Sequence, residues 1–288
     1  MNARFLMLIS FLYFTHSQCK LSSNSVERII GGEDINIKAV PYVLSMILDG
    51  AYACNAAIIN NNWAVTAAHC ITAYNIYHRV NDPLKEITVC SGSSILYKNC
   101  VAHNIVNFFI HENYNSMIND YDIAVIKVTP FFTYNSFTKA VDLAPDNAKN
   151  VFTESGIVCG WGYYLKFDDD SIDPILPKTL KCIVIPLIER ESCCEDYKDR
   201  YVITPRMSCY GYQDGAKDAC KGDSGAALVN KNGILLGVTS WGDGCAEKYS
   251  PGVYTDAIYL RHWIKNKTEM DILDSYYQDI DSVEPDVF

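Results

Sequence analysis

The sequence predicts an all-β chain, and three observations carry that expectation. Its apolar segments are short: residues 40–48, 87–89, 105–110, 123–128, 156–159, 182–187 and 234–239. Each is bounded by Gly, Asn, Asp or Pro clusters, the pattern of antiparallel strands joined by turns. With 288 residues, 49% of them hydrophobic, the chain can bury a large core, and β architectures of this size form one cooperative unit or two packed barrels. Only the end reads as helix, because residues 255–267 lack Gly and Pro and carry Ile258, His262, Trp263 and Ile264 at helical spacing.

Taken in chain order, the first element is not part of the fold. Arg4 precedes an apolar run, residues 5–14, and the small residues Thr15 and Ser17 follow. That layout is a secretory signal peptide over residues 1–17, with its end between 17 and 19, and a run of about ten apolar residues is too short to span a bilayer. Residues 56–65 read as one buried strand leading into Thr66-Ala67-Ala68-His69-Cys70. The twelve cysteines fit disulfides in an oxidising compartment, since no CxxC or Cys/His spacing suggests zinc. A net charge of −10 argues against nucleic-acid or anionic-membrane partners. Part of that charge lies in residues 268–288, which hold seven acids and no Lys or Arg; such a tail is expected to be disordered, the alternative being that it folds onto a basic surface as a partner contact. Asn266-Lys267-Thr268 is the single N-x-Ser/Thr sequon and marks Asn266 as a glycosylation candidate.

Three short motifs point to chemistry. Gly222-Asp223-Ser224-Gly225 sets a serine between glycines on a tight turn, beside Cys220 and Asp218. A serine hydroxyl is a weak nucleophile at neutral pH and needs a base, itself oriented by a third group. His69, next to a cysteine able to pin it, is the candidate base. Asp122, at the mouth of the apolar run Ile123-Ala124-Val125-Ile126, is the candidate orienter, because a carboxylate buried there must find hydrogen-bond donors.

With TAAHC, DIAV, GDSG and SWG in the order His, Asp, Ser, the chain resembles the chymotrypsin and trypsin family of serine proteases from about residue 29 to 265. Subtilisins and α/β-hydrolases place the same groups in other orders. The resemblance implies two packed six-stranded antiparallel barrels with a C-terminal helix, and a protease domain over residues 29–267. It makes His69, Asp122 and Ser224 the catalytic triad and the N–H groups of Gly222 and Ser224 the oxyanion hole. Ser240 matches the serine that supports the triad acid and, with Trp241, Gly242, Gly252, Asp218 and Ala219, belongs to the substrate-binding set. Asp218 matches the pocket acid that selects Arg or Lys before the cut bond; Ala219 beside it tilts the choice toward Arg. Arg28-Ile29-Ile30-Gly31-Gly32 resembles an activation site, so residues 18–28 read as a propeptide, removed by a trypsin-like protease to free an Ile29 amino terminus that pairs with Asp223. The implied disulfides are Cys54–Cys70, Cys193–Cys209 and Cys220–Cys245; local pairings Cys90–Cys100 and Cys159–Cys182 join them. If the signal peptidase cuts after Ser17, Cys19 is retained and can pair with Cys194; if it cuts after Cys19, one thiol is left over. The resulting expectation is a secreted, monomeric, trypsin-like endopeptidase zymogen acting on proteins and peptides without metal or cofactor. Calcium is not expected, because residues 92–110 contain no Asp or Glu.

The chain also departs from the family pattern. Cys54-Asn55-Ala56 stands where most members have Cys-Gly-Gly, and Gly225-Ala226-Ala227 where most have Gly-Gly-Pro. Side chains at Asn55 and Ala226 are placed to clash with or shift the serine, which leaves a catalytically impaired, protease-fold binding or decoy protein as the alternative function. Two insertions add to this: residues 71–86, which would overhang the cleft or form an ordinary surface loop, and residues 163–177, whose Asp168, Asp169, Asp170 and Asp173 give an acidic field for basic substrates or a solvated loop.

Overall fold

The structure is a computed structural model and describes residues 32–72, 86–146, 154–168, 171–215, 222–244 and 247–269. After a two-residue strand β1 (Glu33–Asp34), the first half contributes β2 (Val43–Leu48), β3 (Ala51–Ile58), β4 (Trp63–Thr66), β5 (Ile87–Ser91), β6 (Val101–Ile110) and β7 (Ala124–Thr129). These six close into an antiparallel barrel in the order β2-β3-β4-β7-β6-β5. The second half contributes β8 (Ser155–Gly160), the hairpin β9 (Tyr164–Asp168) and β10 (Ser171–Ile175), then β11 (Lys181–Ile188), β12 (Met207–Tyr210), β13 (Ala227–Val229), β14 (Leu235–Trp241) and β15 (Gly252–Asp256). Here the order β11-β12-β15-β14-β13-β8 closes through a β11–β8 pairing into the second six-stranded barrel, with β1 added at the edge of β11.

Alternation explains the barrels. β6 buries His103 and Ile105 while exposing Ala102, Asn104 and Val106, and inward-facing residues from the surrounding strands fill a core that includes Leu44, Met46, Val65, Val89 and Val125. That apolar cluster continues through Trp161, Leu180 and Val229 of the second half. The barrels therefore share buried surface, and groups on facing strand ends are held at fixed separation.

Three sequence expectations are corrected. Residues 56–65 are not one strand: β3 and β4 are antiparallel partners, turned by Asn60, whose Oδ1 accepts from the N–H groups of Asn62 (3.0 Å) and Trp63 (2.8 Å). Such a side-chain turn competes with extended backbone. The terminal helix starts late: Thr255 and Asp256 belong to β15, paired with β12 and β14, and the helix is Arg261–Lys267. An unforeseen helix, Arg190–Tyr197, has no apolar stripe to announce it and is fastened by the Cys193–Cys209 disulfide. The acidic insertion includes the hairpin β9–β10, with residues 169–170 outside the described set, as are residues 73–85 of the other insertion.

Disulfides Cys54–Cys70, Cys90–Cys100, Cys159–Cys182 and Cys193–Cys209 are formed as expected. Cys159 and Cys182 are direct partners across β8 and β11. Cys194 is partly exposed and has no disulfide partner among the described residues. Cys19, Cys220 and Cys245 lie outside the described residues, as do the signal and propeptide segments and residues 270–288 of the acidic tail. Asn266 lies in the terminal helix.

Candidate active site

β4 runs into a short helix over residues 68–72, which carries His69 out of the first barrel. The Cys54–Cys70 disulfide ties that helix to β3. Asp122 immediately precedes Ile123 and β7 and is fully buried. Its charge is met by donors from several elements. Oδ1 accepts from the His69 backbone N–H at 2.9 Å; Oδ2 lies 2.7 Å from His69 Nδ1 and accepts from Ser240 Oγ at 2.5 Å. Charge-assisted bonds of this length are strong, and together they offset the cost of burying the carboxylate. Thr255 Oγ1 also donates to the Asp122 carbonyl at 2.8 Å. Asp122 is thus clasped between β4–β7 of one barrel and β14–β15 of the other.

This cage sets the state of His69. Burial depresses its pKa, but the Asp122 charge and hydrogen bond outweigh burial, so the imidazole titrates above its ordinary value. With Nδ1 committed to Asp122, Nε2 of the partly exposed ring is left for proton transfer. Two residues upstream, Asp120 accepts from Thr204 Oγ1 at 2.6 Å and from Arg206. Burial opposes its ionisation, yet the Arg206 guanidinium and Thr204 hydroxyl hold the carboxyl below its usual range. This second tie between the halves supports the turn that delivers Asp122.

The serine loop is gripped from both barrels. The Asn55 N–H on β3 donates to the Ser224 carbonyl at 2.8 Å, while the Gly225 N–H donates to the Thr239 carbonyl on β14 at 2.9 Å. The Ala226 N–H closes the turn on the Asp223 carbonyl at 3.0 Å. Gly225 has a left-handed φ of +78°, and a Cβ there would sit 2.2 Å from the Asn55 carbonyl and 2.3 Å from Thr66 Oγ1, so only glycine fits. Asp223 is fully buried and accepts from the Gly162 N–H at 3.0 Å.

The expected site residues separate into three groups. His69, Asp122 and Ser240 are brought into one hydrogen-bonded array, and Ser224 lies on the loop that spans the two barrels. Trp241 ends β14 with its ring 5.1 Å from Tyr197 and 5.2 Å from Tyr201, Gly242 follows it exposed, and Gly252 opens β15 buried. Arg28, Ile29, Asp218 and Ala219 lie outside the described residues. The structure accommodates both departures from the family pattern: Ala226 packs into the second barrel's core with Val158, Leu228 and Tyr254, and Asn55 is wholly buried with its amide on the Gly222 carbonyl. Sequence reasoning missed Thr255 and Tyr52, whose hydroxyls bind the Asp122 and Gly222 carbonyls. No local motif marks either one.

Among the described residues, Cys54, His69 and Cys70 bring potential metal-ligating atoms together. Both sulfurs are committed to a disulfide and Nδ1 faces Asp122, so the group braces the imidazole. His103 is held between Ser91 Oγ (2.9 Å) and the Pro130 carbonyl (2.6 Å), and His111 is stacked on Tyr121.

Comparison with known proteins agrees with this geometry. The family model described as Trypsin matches residues 29–264. The chain is 33% identical over 237 residues to a vitellin-degrading protease of Bombyx mori, covering 82% of this chain and 84% of that one. It is 34% identical over 238 residues to trypsin delta of Drosophila melanogaster, covering 82% and 87%. Against transmembrane protease serine 11C of Mus musculus it is 35% identical over 245 residues, 84% of this chain but 54% of that protein.

Proposed function

Because the chain belongs to the trypsin family of serine proteases, we propose that it is a catalytically competent endopeptidase, exported as a zymogen and cutting after Arg or Lys through an acyl-enzyme. The observation that carries competence is the His69–Asp122–Ser240 array, with Nδ1 held at 2.7 Å and the imidazole pKa raised. In this reading Ser224 Oγ attacks the scissile carbonyl as His69 takes its proton, and Asp122 stabilises the imidazolium and fixes its tautomer. His69 then returns the proton to the leaving amine, and water repeats the cycle on the ester. The N–H groups of Gly222 and Ser224 receive the developing oxyanion.

Specificity and activation rest on sequence motifs. Asp218 at a pocket base would pair with a substrate cation, and cleavage after Arg28 would free an Ile29 ammonium for Asp223. Gly160 and Gly162 line that carboxylate, where any Cβ would lie 2.6 Å and 2.4 Å from its atoms. No described helix is long and apolar enough to cross a membrane, and the disulfides fit an oxidising compartment. The test is hydrolysis of an arginyl chromogenic peptide before and after cleavage at Arg28, with Ser224→Ala as control. Activity that appears on cleavage and vanishes in the variant supports the reading. A correctly cleaved, folded chain without activity overturns it in favour of a binding role.

A further inference from the structure

Asn55 occupies a position of high burial and incomplete hydrogen bonding. Its side chain is fully buried; Nδ2 donates to the Gly222 carbonyl at 3.1 Å, and Oδ1 has no partner among the described residues. The amide cannot be turned around without facing two acceptors at the Gly222 carbonyl. A buried acceptor without a donor destabilises the fold, so this asparagine does not act mainly as a structural filler. The same Gly222 carbonyl accepts a second bond, 2.7 Å long, from Tyr52 Oη. Tyr52 and Asn55 both belong to β3, and the Asn55 N–H holds the Ser224 carbonyl two residues on. Strand β3 is fixed in turn by Thr66 Oγ1, which donates to the Asn55 carbonyl at 2.7 Å.

Gly222 has a left-handed φ of +91° and no side chain to hold it there, so its conformation depends on what grips its peptide groups. We propose that Asn55 and Tyr52 are positioning residues for the oxyanion site: two donors from β3 clamp the Gly222 carbonyl, fix the 222–223 peptide group and so restrict the rotation about the Gly222 Cα that would swing its own N–H away from the developing oxyanion. The inference rests on the peptidase reading above and deepens it. Asn55, which departs from the Cys-Gly-Gly pattern, becomes an aid to turnover on this account and not a defect.

The test uses the Arg28-cleaved chain and separates turnover from binding. Asn55→Ala and Tyr52→Phe should each lower kcat about 10-fold, less than the roughly 100-fold to 1,000-fold cost of removing an oxyanion donor outright, and the double variant about 100-fold. KM should stay within about twofold. Affinity for a peptide aldehyde, which forms a tetrahedral adduct, should fall in parallel with kcat/KM, while binding of a non-covalent amidine should not move. Asn55→Leu controls for folding: it removes the unpaired Oδ1 at similar volume, so the thermal midpoint should hold or rise while kcat still falls. Unchanged or increased kcat in these variants overturns the inference, as does a loss of kcat that only tracks a lowered thermal midpoint. If the unsubstituted cleaved chain is itself inactive, the peptidase reading fails; if it is active and the variants match it, only the clamp fails.

Discussion

Two fully buried carboxylates, Asp122 and Asp223, stand on either side of the proposed reacting centre, and the protein surrounds them differently. Asp122 is enclosed by donors: the His69 backbone and ring and Ser240 Oγ bind its oxygens, and Thr255 holds its carbonyl. Asp223 sits in a space kept free by Gly160 and Gly162 and takes a bond from the Gly162 N–H. One carboxylate is fixed by what touches it; the other depends also on side chains that are missing. The first arrangement suits a group with a single orientation throughout turnover. The second packs the carboxylate against two backbones that carry no side chain, so its position is sensitive to any bulk added there.

The largest test of this contrast is Asp122→Asn. The amide keeps the shape but offers His69 a group that stabilises the wrong tautomer, and kcat should drop about 10,000-fold, the scale of the equivalent change in a trypsin. A drop below 100-fold in steady-state assays would mean that Asp122 only packs the interface. Gly162→Ala addresses the other carboxylate. Its backbone lies outside the left-handed region, so space alone decides, and the new Cβ would lie 2.4 Å from Asp223 Cγ. Asp223 must move, taking the next residue, Ser224, with it; a displacement near 1 Å should cost about 100-fold in kcat/KM. Wild-type rates in Gly162→Ala would show that the loop tolerates a shifted Asp223. Ser240→Ala removes one of several donors to Asp122 and should cost about 10-fold, the worth of one hydrogen bond to a charged group. An effect as large as that of Asp122→Asn would show that Ser240, rather than the whole cage, holds the carboxylate.

The same contrast explains what was legible in the sequence. The triad candidates were readable because each sits in a contiguous motif, and the barrels because short apolar runs separated by turn residues leave few alternatives. Two long-range donors were hidden, since Thr255, which completes the cage, lies 133 residues from Asp122, and Tyr52, which binds the serine loop, lies 170 from Gly222; their roles exist only once barrel closure sets register. Asn55 was visible as an oddity and was read as a hazard to the serine, because its orientation toward the Gly222 carbonyl depends on β3 pairing. The helix Arg190–Tyr197 escaped for a local reason: Arg-Glu-Ser-Cys-Cys-Glu-Asp-Tyr presents no apolar stripe, and buried Cys193 and Tyr197 anchor it through tertiary contacts.

The smallest effect is a displacement of a pH midpoint, and it separates burial from the Asp122 charge as the controlling influence on His69. The base works only when neutral, so kcat/KM should fall on the acid side, tenfold per pH unit, around the His69 pKa of the free enzyme. Because Asp122 outweighs burial there, that midpoint should lie above the ordinary histidine value of about 6.5. Stability has the opposite sign. A folded-state pKa raised above the unfolded value contributes stability that is fully present below about 6.5 and is lost as pH rises through the folded pKa. Activity should therefore rise across the window in which this contribution to stability disappears. Asp122→Asn removes the charge and leaves burial, so the His69 midpoint, followed by proton NMR of the ring, should move down to about 6.5 or below. A midpoint that stays in place after that substitution would show that a group other than Asp122 raises it.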